Sequence, residues 1–269
     1  MCVIVVKPKG EEMPSMTTLF ECWEQNPDGA GLMFNDGNNV RIEKGFMSWQ
    51  AFEHRIEKLV KHTDVESKTI VFHFRIATHG EVSRECCHPF PLTTNLNEIR
   101  RCKCVANMGI AHNGIIQGRN TDKLKSDTMD YIMNVVAPMY AEMGDRFVES
   151  KHVRKVIENT INGSRMVFLK PNGEYYLIGS WSVDEGCFFS NLYHKSYRQW
   201  YNYNMYDDAD YESVNMPEPP SDMCRYLCDD YGFCVMAREW YCINEDEAIE
   251  TIEEYMMRDE MAFDIEKED

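Results

Sequence analysis

The chain has 269 residues, 28 basic and 45 acidic side chains, and a formal net charge of −17. With 43% hydrophobic residues it can bury a sizeable core, which excludes wholesale disorder. No apolar run reaches the ~18 residues of a membrane span, and this sign of charge disfavours contact with a phosphate backbone, so neither membrane insertion nor direct nucleic-acid binding is expected.

The N-terminus, Met1-Cys2-Val3-Ile4-Val5-Val6-Lys7, has no basic region and is too short for a signal peptide. The 11 cysteines, an odd number, point to free thiols in a reducing, cytoplasmic setting. Val3–Val6 is a short continuous apolar run, the mark of a buried strand. Asn26-Pro27-Asp28-Gly29-Ala30-Gly31 is a turn cluster before a second strand, Leu32-Met33-Phe34. Asn35-Asp36-Gly37-Asn38 then turns the chain into a third. Ser48 caps a helix to about His62, with Phe52, Ile56, Leu59 and Val60 on one face.

Thr69–Arg75 alternates, with Ile70, Phe72 and Phe74 facing one way and Val71, His73 and Arg75 the other. Met108–Ala111 is a strand ended by His112-Asn113-Gly114. Ser126 caps a helix from Asp127, kinked at Pro138. Ser150–Asn162 is a helix with Val153, Val156 and Ile157 inward and Gly163 as its stop. Met166–Leu169, Tyr175–Gly179 and Cys187–Ser190 read as strands. Strands cluster, then helices, then strands again, which fits an α+β sandwich.

The charge is unevenly placed. Residues 207–269 hold 21 of the 45 acids and only 4 of the 28 bases, so the whole excess lies there. Residues 201–222 are rich in Tyr, Asn and Asp, end in Pro217-Glu218-Pro219-Pro220, and read as a linker. Residues 223–269 form an acidic appendage with a helix capped by Asn244. It is either a solubilising helix or a surface for a basic partner. Cys224, Cys228, Cys234 and Cys242 are four thiols, but their spacing is not that of a zinc ribbon, and no metal site is expected.

Four places carry the residue types of an acyl-transfer site. Removal of Met1 would leave Cys2 with a thiol and a free α-amine. Such an amine titrates near pKa ~7.7–8.0 and can take the thiol proton. On its own Cys2 is equally a small buried hydrophobe. Arg75, at a strand end before Ile76-Ala77-Thr78-His79-Gly80, offers a planar fork for a carboxylate, or a surface salt bridge. The Asn113 amide and the Gly114 N–H can converge on one oxygen, or simply make a β-turn. Asp127, in the first turn of its helix, can hold an ammonium or complement the helix dipole.

Taken together these blocks resemble the glutaminase domain of class II glutamine amidotransferases, a branch of the N-terminal nucleophile hydrolases. The matching segments are Met1-Cys2-Val3-Ile4, Asn26-Pro27-Asp28-Gly29-Ala30-Gly31, Arg75-Ile76-Ala77-Thr78-His79-Gly80-Glu81, His88-Pro89-Phe90, Gly109-Ile110-Ala111-His112-Asn113-Gly114-Ile115-Ile116 and Ser126-Asp127-Thr128. The Asn-Pro-Asp-Gly-Ala-Gly block is similar to stand-alone, bacterial and phage-type members. The resemblance covers about residues 2–200.

The resemblance implies a four-layer αββα sandwich. It implies Cys2 as nucleophile with its own amine as base, and Asn113 and Gly114 as oxyanion donors. It implies Arg75 on the glutamine α-carboxylate, Asp127 on the α-ammonium, Thr78 and His79 lining the pocket, and His88 near the site in a structural role. The reaction would be L-glutamine to glutamate and ammonia through a γ-glutamyl thioester, without a cofactor. Relatives with an ammonia channel commonly carry Trp after the arginine, where Ile76 stands here. The sequence has no Gly-rich phosphate loop and no room for a synthetase domain. The ammonia acceptor would therefore be a synthetase on a separate chain, or the protein would be an N-terminal nucleophile amidase acting on another amide. A non-catalytic acidic interaction protein is opposed by the complete set of polar site residues.

Overall fold

A period of two in the strands and of 3.6 in the helices sorts the apolar side chains into three separate cores. The computed structural model describes residues 2–76, 82–119, 124–195, 233–234 and 239–240. The chain divides into two units, Met1–Tyr203 and Asn204–Asp269.

In the first unit, seven strands make one antiparallel sheet. In spatial order they are Ser182–Asp184 (β10), Cys187–Phe189 (β11), Val3–Lys7 (β1), Ile70–Phe74 (β4), Ala30–Asn35 (β2), Val40–Phe46 (β3) and Lys103–Ala106 (β6). A second antiparallel sheet has the order Phe90–Pro91 (β5), Gly109–Asn113 (β7), Arg165–Leu169 (β8), Tyr175–Ile178 (β9).

Helices Met16–Gln25 (α1) and Trp49–His62 (α2) cover the outer face of the larger sheet. Leu19, Trp23, Phe52 and Ile56 pack there on Val3, Val5, Phe72 and Phe74. Between the sheets, Ile4, Val6, Met33 and Val71 meet Ala111, Val167 and Leu169. On the outer face of the smaller sheet, Ile110, Met166 and Phe168 pack on a second helical layer. That layer comprises Asp127–Tyr131 (α4), Ala137–Met143 (α5), Arg146–Glu149 (α6) and Lys151–Ile161 (α7); the short α3 is Leu96–Ile99. The layers therefore run αββα, the α+β sandwich expected from the sequence.

Serine caps start four of the helices, α1, α2, α4 and α7. The side chains of Ser15, Ser48, Ser126 and Ser150 accept the backbone N–H of Thr18, Ala51, Met129 and Val153, each an otherwise orphaned donor.

Several expectations need correction. Val60 is 48% exposed and Val156 57% exposed, so neither lies on its helix's inward face. Each is one residue, about 100° of helix, from a buried neighbour, Leu59 or Ile157, and falls off the apolar stripe. The strand expected to end at Ala111 continues through Asn113, because His112 and Asn113 pair with Met166 and Arg165. Ahead of Pro138 the helix widens into a π turn at Ile132–Val136. Proline has no N–H to donate into the preceding turn.

In the second unit, Phe233–Cys234 (β12) pairs antiparallel with Glu239–Trp240 (β13). The linker at 201–222, the helix after Asn244, and the cysteines at 224, 228 and 242 lie outside the described residues. Among the described residues, the seven cysteines of the first unit are all free thiols.

Candidate active site

The site lies at one open end of the gap between the sheets, and side-chain parity puts its residues there. Ile4 and Val6 face that gap from β1, so Cys2 shares their face. Val71 faces it from β4, and Arg75 lies four residues on. β1 and β4 pair as Val3 with Phe74, so Cys2 comes beside the end of β4. There the Ile76 N–H donates to the Cys2 Sγ at 3.4 Å, and the Sγ lies 3.5 Å from the Ile76 carbonyl.

The turn cluster at Asn26–Gly31 supports this strand end. The Arg75 N–H donates to the Gly29 carbonyl at 2.8 Å, and the Asp28 N–H to the Arg75 carbonyl at 3.0 Å. Gly29 is at φ 120°, and a Cβ there would come within 2.5 Å of the Cys87 Sγ. Only glycine combines that backbone with that approach.

From the second sheet, Ala111 faces the gap, so Asn113 does too. Cys2, Ile76, Asn113, Gly114 and Ile115 line one cleft with Asn162–Arg165, of about 260 Å³. The Asn113 Nδ2 donates to the Ser190 Oγ at 2.9 Å, and the same oxygen accepts the Ile4 N–H at 2.8 Å. The Asn191 Nδ2 donates to the Cys2 carbonyl at 2.8 Å. Ser190 thus ties the strand bearing Cys2 to the asparagine across the gap, and Asn191 holds the Cys2 backbone beside it.

Burial pushes the Cys2 thiol up; the bond from Ile76 and the nearby Arg75 guanidinium only partly offset this. The thiol stays protonated at neutral pH, and attack requires a base. The buried histidines are poor candidates. Burial lowers His73 to about 3, His112 to about 4 and His88 well below its ordinary value. His73 and His88 stack with ring centres 4.3 Å apart. The His73 Nε2 donates to the His112 carbonyl at 3.1 Å, and the His112 Nδ1 is 2.9 Å from the Thr128 Oγ1. His88 is not among the residues lining the cleft.

Asp127 is also outside the cleft lining. Its carboxylate accepts the Ile116 N–H at 2.7 Å and the Thr128 N–H at 2.7 Å, fastening the chain after Gly114 to the start of α4. Oδ1 also accepts the Thr128 hydroxyl at 3.3 Å, so the lone pair left for a further donor is on Oδ2. Thr78 and His79 lie outside the described residues. Ser190, Asn191, Ser164 and Arg165 were missed by sequence reasoning. Ser190 closes a strand the sequence did indicate, and Ser164-Arg165 follow a helix stop, but neither pair has a motif of its own. Among the described residues, no group of three or more His, Cys, Asp or Glu side chains could hold a metal ion.

The described residues thus place a cysteine across the gap from a strand-end Asn-Gly pair inside an αββα sandwich. Residues 14–128 match the family of class-II glutamine amidotransferases. The stretch includes Arg75, Thr78, His79, His88, Asn113, Gly114 and Asp127; Cys2 precedes it. No curated protein matches the chain. Among solved structures, it is similar to the glutamine phosphoribosylpyrophosphate amidotransferase of B. subtilis in complex with ADP and GMP. The identity is 15% and the TM-score 0.42, over 73% of this chain and 43% of that one. A structure described as the allosteric regulatory enzyme of purine biosynthesis matches at 19% identity and a TM-score of 0.36, over 64% of this chain and 36% of its own. The chain thus spans less than half of either.

Proposed function

We propose that the first unit is a glutaminase: it hydrolyses the side-chain amide of L-glutamine and passes the ammonia to an acceptor enzyme on another chain. Removal of Met1 frees the Cys2 amine, which takes the thiol proton as Sγ attacks the γ-carbonyl carbon. The carbonyl oxygen gains charge between the Gly114 N–H and the second hydrogen of the Asn113 Nδ2, whose first is held by Ser190. The C–N bond breaks, the protonated amine gives its proton to the departing ammonia, and water hydrolyses the γ-glutamyl thioester. Arg75 binds the α-carboxylate and Asp127 the α-ammonium; the resemblance assigns Thr78 and His79 to the same substrate. The acidic segment 223–269 plays no part in this chemistry.

The observation that carries the reading is that Cys2, Asn113 and Gly114 line one cleft. It is supported by the family match across the other proposed site residues. The raised thiol fits a nucleophile needing a base within its own residue. The test is release of glutamate and ammonia by the purified protein, with intact mass reporting loss of Met1. Cys2→Ala should abolish turnover. Hydrolysis at the wild-type rate by Cys2→Ala, or by protein retaining Met1, would overturn the mechanism.

A further inference from the structure

Arg165 opens β8 directly opposite Asn113, and opposed residues in a ladder carry their side chains on the same face. Val167 and Leu169, two and four residues on, lie in the core between the sheets. Arg165 therefore faces the same gap at its open end, where it lines the cleft with Cys2, Asn113 and Gly114.

Backbone carbonyls anchor its guanidinium. The Nε donates to the Ser180 carbonyl at 3.1 Å and Nη1 to the Gly163 carbonyl at 3.0 Å. These acceptors fix the side chain without neutralising it, and among the described residues no carboxylate pairs with Arg165. A guanidinium has five N–H donors in a rigid fork; two are engaged and three remain. Departing ammonia makes no use of such a group. It occupies about the volume of one water, ~30 Å³, whereas the cleft is about 260 Å³.

We infer that the cleft beside Cys2 accepts amides whose leaving amine carries a carboxylate, and that Arg165 binds that carboxylate. The further substrate class, beside L-glutamine, is the γ-glutamyl amide of an amino acid. This rests on the Cys2 chemistry proposed above and assigns its leaving-group side. The Cys2 Sγ bonds to the γ-carbonyl carbon, the C–N bond breaks, and the amino acid departs with the proton lost by the thiol. Water then cleaves the thioester, yielding glutamate and restoring the thiol.

The experiment compares kcat/KM of the purified full-length protein, Met1 removed, on γ-glutamylglycine and on γ-glutamylmethylamide, which has no carboxylate on the leaving amine. Wild-type protein should prefer γ-glutamylglycine at least tenfold, and Arg165→Met should bring the ratio near one. Arg165→Lys, which keeps the charge but loses the fork, should fall between; it decides the matter if Arg165→Met lacks a cooperative melt. A wild-type ratio near or below one, or a preference kept in the folded variants, overturns the assignment. Turnover of L-glutamine alone overturns it too, while leaving the glutaminase reading intact. No turnover of any of the three overturns both.

Discussion

Replacing Ser190 by alanine tests whether Asn113, proposed as an oxyanion donor, is set by the strand that carries Cys2. The Ser190 Oγ is buried and accepts two donors, the Ile4 N–H at 2.8 Å and the Asn113 Nδ2 at 2.9 Å. Its loss strands both in a dry place. At about 1–3 kcal/mol for each buried unsatisfied group, the pair costs about 2–6 kcal/mol. For a domain of this size that lowers Tm by about 5–20 °C. The kinetic effect is separate. An Asn113 amide released from Ser190 no longer keeps its second hydrogen on the developing oxyanion, and kcat should fall toward the ~10²-fold loss of one such donor, with KM little changed. Melting by circular dichroism and steady-state glutaminase kinetics read the two effects. Asn113→Ala with Ser190→Ala should lose no more kcat than Asn113→Ala alone, since both act through one donor. A normal kcat in folded Ser190→Ala, or additive losses in the double variant, would refute the reasoning.

Acid should destabilise the domain before its carboxylates titrate. His73 and His112 are held at about 3 and 4, below the ~6.5 of an unfolded histidine. Their contribution is complete above pH 6.5 and is lost as pH falls toward their folded values, because the unfolded chain binds protons first. Between pH 6.5 and 5 each costs on the order of 1–2 kcal/mol; urea melts that are flat over this window would contradict the burial argument. Gly114→Ala should fail to give active protein. Gly114 is at φ 144°, and a Cβ there would come within 2.0 Å of the Ser164 Oγ, so expression, melting and activity should all drop, and a fully active variant would show that this approach is not required.

Much of the candidate site's placement was legible because its residues sit at strand ends. The alternation in Thr69–Arg75 already put Arg75 on one face with Val71, and the apolar run at Val3 marked the strand that follows Cys2. What a single sequence does not carry is pairing across the gap. Ser190 matters only because β11 lies beside β1, and Arg165 only because β8 pairs with β7. The helix α1 was overlooked for a local reason. Met16-Thr17-Thr18 opens it with two β-branched residues, and its start rests on the Ser15 cap and on burial of Leu19 and Trp23. The misplaced Val60 and Val156 show that an apolar stripe has edges narrower than its residue types suggest.

Because β1 is flanked on both sides by paired strands, the direction in which Cys2 points is counted in whole residues. Inserting one residue between Cys2 and Ile4 would turn the thiol to the other face of the sheet, toward the layer of Trp23 and Phe74. Inserting two would restore its facing but carry it about 7 Å along the strand, out of reach of Asn113. The strand thus works as a ruler with a two-residue graduation, and on the proposed mechanism the distance from the chain's first thiol to its first paired valine sets where that thiol acts.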